Sequence, residues 1–289
     1  MSPLSKQPLT PGTMLKSDSR QMYRIEEVLA ERSNPFCCVY RATADGRDFT
    51  PKNMIPGEFD YQLNLQKSLA TCPNVRGVVD TVKDLEMFIY PYLSGDLLRL
   101  NIKPNNILVD YVESAEGEIV VNNVQISDLE DTVIVPRGKW LAGPLCGNAL
   151  WRSPESWCRS RQNQASDVFS FGIVMIYVMV IEMVFRVNDD ELNSADSWRH
   201  ILRRHISYFA DEDGLNGFLE HIGEENPFFD RLIDLASIFG PENPRQPFER
   251  WGYVEPDLRD LIGKMTNLDP TKRITASEAL QHRWFSKTG

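Results

Sequence analysis

Over the first third of the chain, apolar residues come in short runs that alternate with polar ones, the period of a half-buried strand. Tyr23-Arg24-Ile25 and Val28-Leu29, then residues 37–42, a turn at Asp45-Gly46 and a run from Phe49 to Met54 predict a small antiparallel sheet. Residues 57–70, with Phe59, Leu63, Leu65 and Leu69, predict one short helix. Residues 75–82 and 87–93 predict two more strands on either side of Lys83-Asp84. Further strands are expected at 106–109 and 119–126, around an acidic turn at 113–118. From Asp167 onward helical patterns dominate, and Thr275 with Glu278 three residues later predicts a capping box on the last helix. No internal repeat or low-complexity tract interrupts this order. A β-rich part followed by a larger helical one predicts an α+β fold with two lobes.

The most apolar stretch, residues 169–185, is shorter than the roughly 20 residues a membrane span needs, and Glu182 interrupts it. It predicts the buried central helix of a large domain and no transmembrane segment. At 289 residues with 42% hydrophobic side chains, the chain is long enough for a substantial core. A formal net charge of −10 argues against a nucleic-acid partner, because phosphate binders gather Lys and Arg on one face. Five cysteines, odd in number and without metal-ligand spacing, support neither a disulfide framework nor a zinc site and fit a reducing compartment. Residues 1–22 are polar, carry Pro8 and Pro11 and have no apolar signal core, so they read as a flexible tail. Cytoplasm or nucleus is the expected location.

Several separated segments carry chemistry. Ile102-Lys103-Pro104-Asn105-Asn106-Ile107-Leu108-Val109 is either a Pro-Asn turn before a strand or a loop that presents Lys103 and Asn106. Ile126-Ser127-Asp128-Leu129-Glu130 places a carboxylate at a strand end. Gly147-Asn148-Ala149-Leu150-Trp151-Arg152-Ser153-Pro154-Glu155, Asp167-Val168-Phe169-Ser170-Phe171-Gly172, and Leu268-Asp269-Pro270-Thr271-Lys272-Arg273-Ile274-Thr275-Ala276 with His282-Arg283-Trp284-Phe285 follow in order. Together these segments resemble the eukaryotic Ser/Thr protein kinases across residues 23–285.

That resemblance implies a bilobal protein-kinase-like domain at 23–289, with an N-lobe and hinge at 23–93 and a C-lobe at 94–289. It implies ATP and Mg²⁺ as cofactors, with Lys103 steadying the transferring phosphoryl group and Asn106 and Asp128 as metal ligands. Lys52 is the strand lysine for the α- and β-phosphates, Val39 the lid over adenine, and Tyr92 and Leu93 part of the hinge. Asp167 anchors the catalytic loop, and Arg273 pairs with Glu155 as a scaffold ion pair.

The same comparison exposes losses. The phosphate-covering stretch, residues 29–40, contains no glycine, and Glu31 falls near the phosphates. The helix glutamate that should hold Lys52 aligns with the neutral Gln62, with Glu58 and Asp60 as the nearest acids. Glu130 replaces a glycine and removes backbone freedom. Pro51 restricts its strand to an edge or an irregular position.

Between Leu98 and Ile102 only Arg99-Leu100-Asn101 stands where two helices and a His-Arg-Asp triplet are expected. Asn101 occupies the place of the catalytic base and can orient a hydroxyl but not take its proton. A naturally shortened form or a skipped coding stretch fits this gap, and the abrupt junction between family-like flanks favours skipping. Two functions remain open on the sequence. One is phosphoryl transfer from ATP to protein Ser/Thr hydroxyls with impaired activity. The other is a catalytically inactive pseudokinase acting as a scaffold for a protein partner, through residues 147–151 or the acidic surface at 211–225.

Overall fold

A computed structural model of the chain describes residues 7–93, 95–96, 106–115 and 117–286. It divides into two compact units, Met1–Val133 and Ile134–Gly289. The division falls later than the expected lobe boundary at 93/94.

The first unit contains strands β1 Met14–Lys16, β2 Met22–Ser33, β3 Phe36–Ala44, β4 Arg47–Asn53, β5 Asp80–Val82 and β6 Met87–Pro91, with helix α1 Phe59–Leu69. The strands form one sheet in the order β1-β2-β3-β4-β6-β5, with every pair antiparallel. Alternation along β3 sends Cys38, Tyr40, Ala42 and Ala44 into one apolar cluster with Leu15, Tyr23, Ile25, Val82, Met87 and Ile89. A second cluster, Met54, Phe59, Phe88 and Tyr90, joins the sheet to α1, with the Phe59 and Phe88 rings 5.0 Å apart.

Three expectations change. Residues 14–16 are not a loose tail: they pair with β2, and Leu15 is buried. Three residues are too few to show an alternation in the sequence. Only Asp80–Val82 of the expected strand at 75–82 joins the sheet, because residues 74–76 serve another contact described below. Pro51 sits in an interior strand, flanked by β3 and β6. Its missing N–H is accommodated because the β3–β4 register has no pairs between Ala42↔Phe49 and Val39↔Lys52.

A second sheet, β7 Gly95–Asp96, β8 Ile107–Glu113 and β9 Ile119–Ile126, completes this unit. It is fastened by residues 74–76: Ile126 N donates to the Asn74 carbonyl at 2.8 Å and Arg76 N to the Ile126 carbonyl at 2.9 Å. The Arg76 guanidinium continues to Thr50 Oγ1 at 2.7 Å and to the Pro91 carbonyl, lying over the Tyr90 ring. The C-terminal end of β9 is thereby tied to the strands that carry Lys52.

The second unit has a short hairpin, β10 Leu141–Ala142 and β11 Arg161–Gln162, and nine helices among its described residues. These are α2 Pro154–Trp157, α3 Gln164–Val180, α4 Asp189–Asn193, α5 Ser197–Phe209, α6 Glu212–Ile222, α7 Phe229–Ser237, α8 Pro256–Met265, α9 Ala276–Leu280 and α10 Arg283–Ser286. Helix α3 supplies Val168, Phe169, Ile173, Met175 and Ile176 to the core, where α5 adds Ile201, Leu202 and Ile206 and α8 adds Leu258, Leu261, Ile262 and Met265. A Cβ on Gly172 would lie 2.9 Å from Thr266 Cγ2 and 3.2 Å from Met265 Cβ, so the glycine permits the close approach of α3 and α8. The apolar stretch ends earlier than 185: Ile181 takes a left-handed φ of 62° and closes the helix. Thr275 and Glu278 form the expected capping box, but on α9, which the short α10 follows, and not on the last helix. Among the described residues no helix is long and apolar enough to cross a membrane.

Candidate functional site

Register places Lys52 directly opposite Val39 on β3 and Phe88 on β6. Opposed residues of antiparallel strands share a face, so Val39, Lys52 and Phe88 rise on the side of the sheet that packs on α1. The Lys52 side chain is 18% exposed, and its ammonium meets two carboxylates, Asp128 and, at 2.7 Å, Glu130. Both acids come from one segment. Asp128 follows the end of β9 with φ 62° and ψ 56°, a left-handed conformation that Asp tolerates, and opens the 3₁₀ turn Leu129–Asp131. The reversal brings the side chains of residues 128 and 130 to the same ammonium.

The electrostatics of this trio are uneven. Asp128 is held down to about 2, first by its hydrogen bond with Glu130 and then by the Lys52 ammonium. Glu130 is pushed up to about 7 by burial, with Asp128 adding to the effect. Burial disfavours the charge on Lys52, but the two carboxylates outweigh it and its pKa shifts upward. Gln62 of α1 is 2% exposed and its Nε2 donates to the Glu130 carbonyl at 2.7 Å. The helix therefore reaches this site through a neutral bond to the main chain.

Asn106 lies just before β8, where its carbonyl accepts from Ser127 N at 2.8 Å, and Ile107 pairs with Ile126. Asn106 and Asp128 thus flank the same end of the β8–β9 ladder. Tyr92 follows β6, and its N–H donates to the Asp48 carbonyl at 3.3 Å; Tyr92 and Leu93 are half-buried. Lys52 pairs with Phe88, four residues before Tyr92, so Tyr92 stands roughly 13 Å along the strand direction from the backbone of Lys52. Asn101 and Lys103 lie outside the described residues.

In the second unit, Ser153 caps α2 and Pro154 occupies its first turn, which presents Glu155 inward. Glu155 and Arg273 form a fully buried bidentate pair at 2.6 and 2.7 Å. Arg273 spends its other hydrogen bonds on the carbonyls of Asn267, Ala165 and Leu268, and Ser166 Oγ donates to Glu155. Every guanidinium N–H direction therefore has an acceptor, which is what makes a buried charge tolerable.

Residues 90–285 match the protein kinase domain, which is more than half of the chain. The chain belongs to the protein kinase family. It is 24% identical over 253 residues to mitogen-activated protein kinase 13 of Homo sapiens, covering 82% of this chain and 60% of that one. It is 27% identical over 150 residues to a probable cell division control protein 7 homolog of Encephalitozoon cuniculi, covering 50% and 39%. A shorter stretch of 40 residues is 55% identical to the delta subunit of calcium/calmodulin-dependent protein kinase type II of Oryctolagus cuniculus, covering 14% of this chain and 8% of that one. The chain thus spans at most about 60% of the length of these relatives.

As a kinase domain the chain has the α+β organisation of that fold, with a β-rich N-terminal unit and a helical C-terminal one. Within the first unit the Lys52 ammonium meets Asp128, Val39 stands opposite Lys52 in the β3–β4 register, and Asn106 bonds through its carbonyl to the residue before Asp128, while Tyr92 and Leu93 follow β6. Glu130 is the residue that sequence reasoning missed. It reads in the sequence as a lost glycine, and the structure makes it a partner of Lys52. The available signal was its spacing: two residues beyond Asp128, across a turn, a carboxylate can reach the same cation.

Proposed function

We propose that this kinase domain binds ATP with Mg²⁺ and transfers phosphate weakly to Ser/Thr hydroxyls of a protein substrate. The observation that supports it is the Lys52 ammonium held against the carboxylate of Asp128. A lysine so placed suits the nucleotide's α- and β-phosphates, and Val39, on the same face, suits the adenine ring.

The donor set also fits Mg²⁺. Asp128 offers carboxylate oxygen at one side of a ladder end and Asn106 an amide oxygen at the other, both hard ligands. Among the described residues no group of three or more His, Cys, Asp or Glu side chains is arranged for a metal, so nucleotide phosphates and water would complete the shell, as Mg²⁺ prefers. Bound Mg-ATP would supply the phosphoryl group and neutralise its charge. Asp128 and Asn106 would hold the metal, Lys52 would fix the phosphates, Lys103 would steady the group in transfer, and Tyr92 and Leu93 would border the base. Asn101 in place of a carboxylate orients the acceptor hydroxyl without accepting its proton, and this is the reason for weak turnover.

A second reading, a non-catalytic module for a protein partner, draws on the phosphate loop. Strands β2 and β3 pair out to Ser33↔Phe36, with Glu31 opposite Cys38, so the turn that would cover phosphates carries side chains throughout. The two readings part in one assay. Incubation with radiolabelled ATP and a generic basic protein is expected to give slow transfer that Asp128→Ala abolishes. Absence of transfer, together with retained nucleotide binding, would favour the non-catalytic module.

A further inference from the structure

We infer that Glu130 is the positioning residue of Lys52, supplying from the segment after β9 the carboxylate that α1 lacks. The inference rests on the nucleotide-site reading above and names a residue to which that reading gives no role.

Helix α1 brings no acid to Lys52 among the contacts of the described residues. It reaches the site through Gln62, a neutral amide already bonded to the Glu130 carbonyl at 2.7 Å. The nearest acids are no substitute: Asp60 is exposed and pairs with Lys83, and Glu58 precedes the helix at its N-cap position. An ammonium as enclosed as that of Lys52 needs polar partners in place of water. Asp128 is one, but a metal-binding carboxylate must turn part of its charge to the metal. Glu130 is the other, at 2.7 Å, with its side chain 12% exposed. The left-handed conformation of Asp128 and the turn at Leu129–Asp131 aim it there, and the Gln62 bond fixes the backbone from which it projects. The family's glycine position has thus become an anchor, while the helix keeps a supporting contact.

A carboxylate beside a phosphate-binding lysine has two opposite possible effects. As a positioning group it holds the ammonium in place and its loss weakens nucleotide binding. As a mere negative charge it repels the phosphates and its loss strengthens binding. The sign decides between them.

The test is a fluorescence titration of N-methylanthraniloyl-ADP into the full chain in buffer containing EDTA, so that only side-chain contacts to the phosphates are read. Glu130→Gln, which keeps the shape, and Glu130→Gly, which restores the family residue, are each expected to weaken binding about tenfold. Adding Gln62→Glu to Glu130→Gly returns a carboxylate to the helix and is expected to recover affinity to within about threefold of the unaltered protein. A destabilised but otherwise normal variant would show no such rescue, and thermal melts followed by circular dichroism confirm that each variant is folded. If Glu130→Gly does not fold, the isosteric Glu130→Gln decides alone. Unchanged or tighter binding by Glu130→Gln, or a folded double variant no better than Glu130→Gly, overturns the role of Glu130 and leaves the nucleotide site standing. Failure of the unaltered chain to bind at all overturns the nucleotide site and this inference with it.

Discussion

His205 is the sharpest test of how the helical unit is packed. It lies on α5, 1% exposed, its ring stacked on Phe185 at 4.0 Å and on Phe169 at 5.2 Å. Neither ring nitrogen has a hydrogen-bond partner among the described residues. Burial, with Arg273 adding, lowers its pKa well below the ordinary value. For a base whose folded pKa is depressed, the native state binds fewer protons than the unfolded one. Stability is then present above the unfolded pKa, near 6.5, and is lost as pH falls below it. One such group removes about 1.4 kcal/mol between pH 7.5 and pH 5.5.

His205→Phe keeps the aromatic stack and removes both orphaned nitrogens and the titration. Fitting the larger ring costs about 1–3 kcal/mol, and losing the unsatisfied groups returns a similar amount, so the change at pH 7.5 is small. Those terms do not depend on pH, and His221, also lowered by burial, titrates in both proteins. The difference between the two pH values therefore isolates His205. Urea unfolding at pH 7.5 and 5.5 should show the variant gaining about 1.4 kcal/mol on the unaltered chain as the pH drops. Parallel pH dependence in the two proteins would mean that His205 is protonated or hydrogen-bonded in the native state, and the packing argument would fail.

Other consequences are equally direct. Glu155→Gln leaves Arg273 as an uncompensated buried charge and should cost about 3–5 kcal/mol in urea unfolding; a loss below about 1 kcal/mol would refute the pair's structural role. Burial alone would raise the Glu155 carboxyl, but Arg273 and Ser166 hold it below its usual range. Its contribution is thus present above the unfolded carboxylate pKa and disappears as pH falls through the lowered one, which acid titration of circular dichroism will register. Gly172→Ala introduces a methyl 2.9 Å from Thr266 and should destabilise by about 1–3 kcal/mol despite alanine's better helix propensity, whereas a rise in melting temperature would contradict the close approach of α3 and α8. The β8–β9 hairpin exposes Val112, Ile119, Val120, Val121 and Val124, so the chain should self-associate with rising concentration, and Val112→Thr with Val120→Thr should suppress it in light scattering. A strictly monomeric unaltered chain would refute that expectation.

Much of the scaffold was legible because it rests on local or strongly patterned signals. The alternation in β3, the capping box of Thr275 and Glu278, and the pairing of Arg273 with Glu155 all stand in the structure where the sequence leads one to expect them. Lys52 and Asp128 could be picked out by spacing within family-like segments, and they meet. What escaped depends on tertiary context. Strand β1 is three residues long and declares itself only by pairing. Pro51 in an interior strand becomes tolerable only where the ladder to β3 lapses, which no local pattern announces. Glu130 reaches Lys52 because Asp128 adopts a left-handed conformation, a choice the sequence permits without demanding.

Mg²⁺-dependent nucleotide binding is the property on which the proposed site depends. Isothermal titration of ATP into the purified chain, with and without Mg²⁺, is expected to give one site that tightens when the metal is present and loses that dependence in Asp128→Asn. No binding, or equal Mg²⁺ dependence in Asp128→Asn, would contradict it.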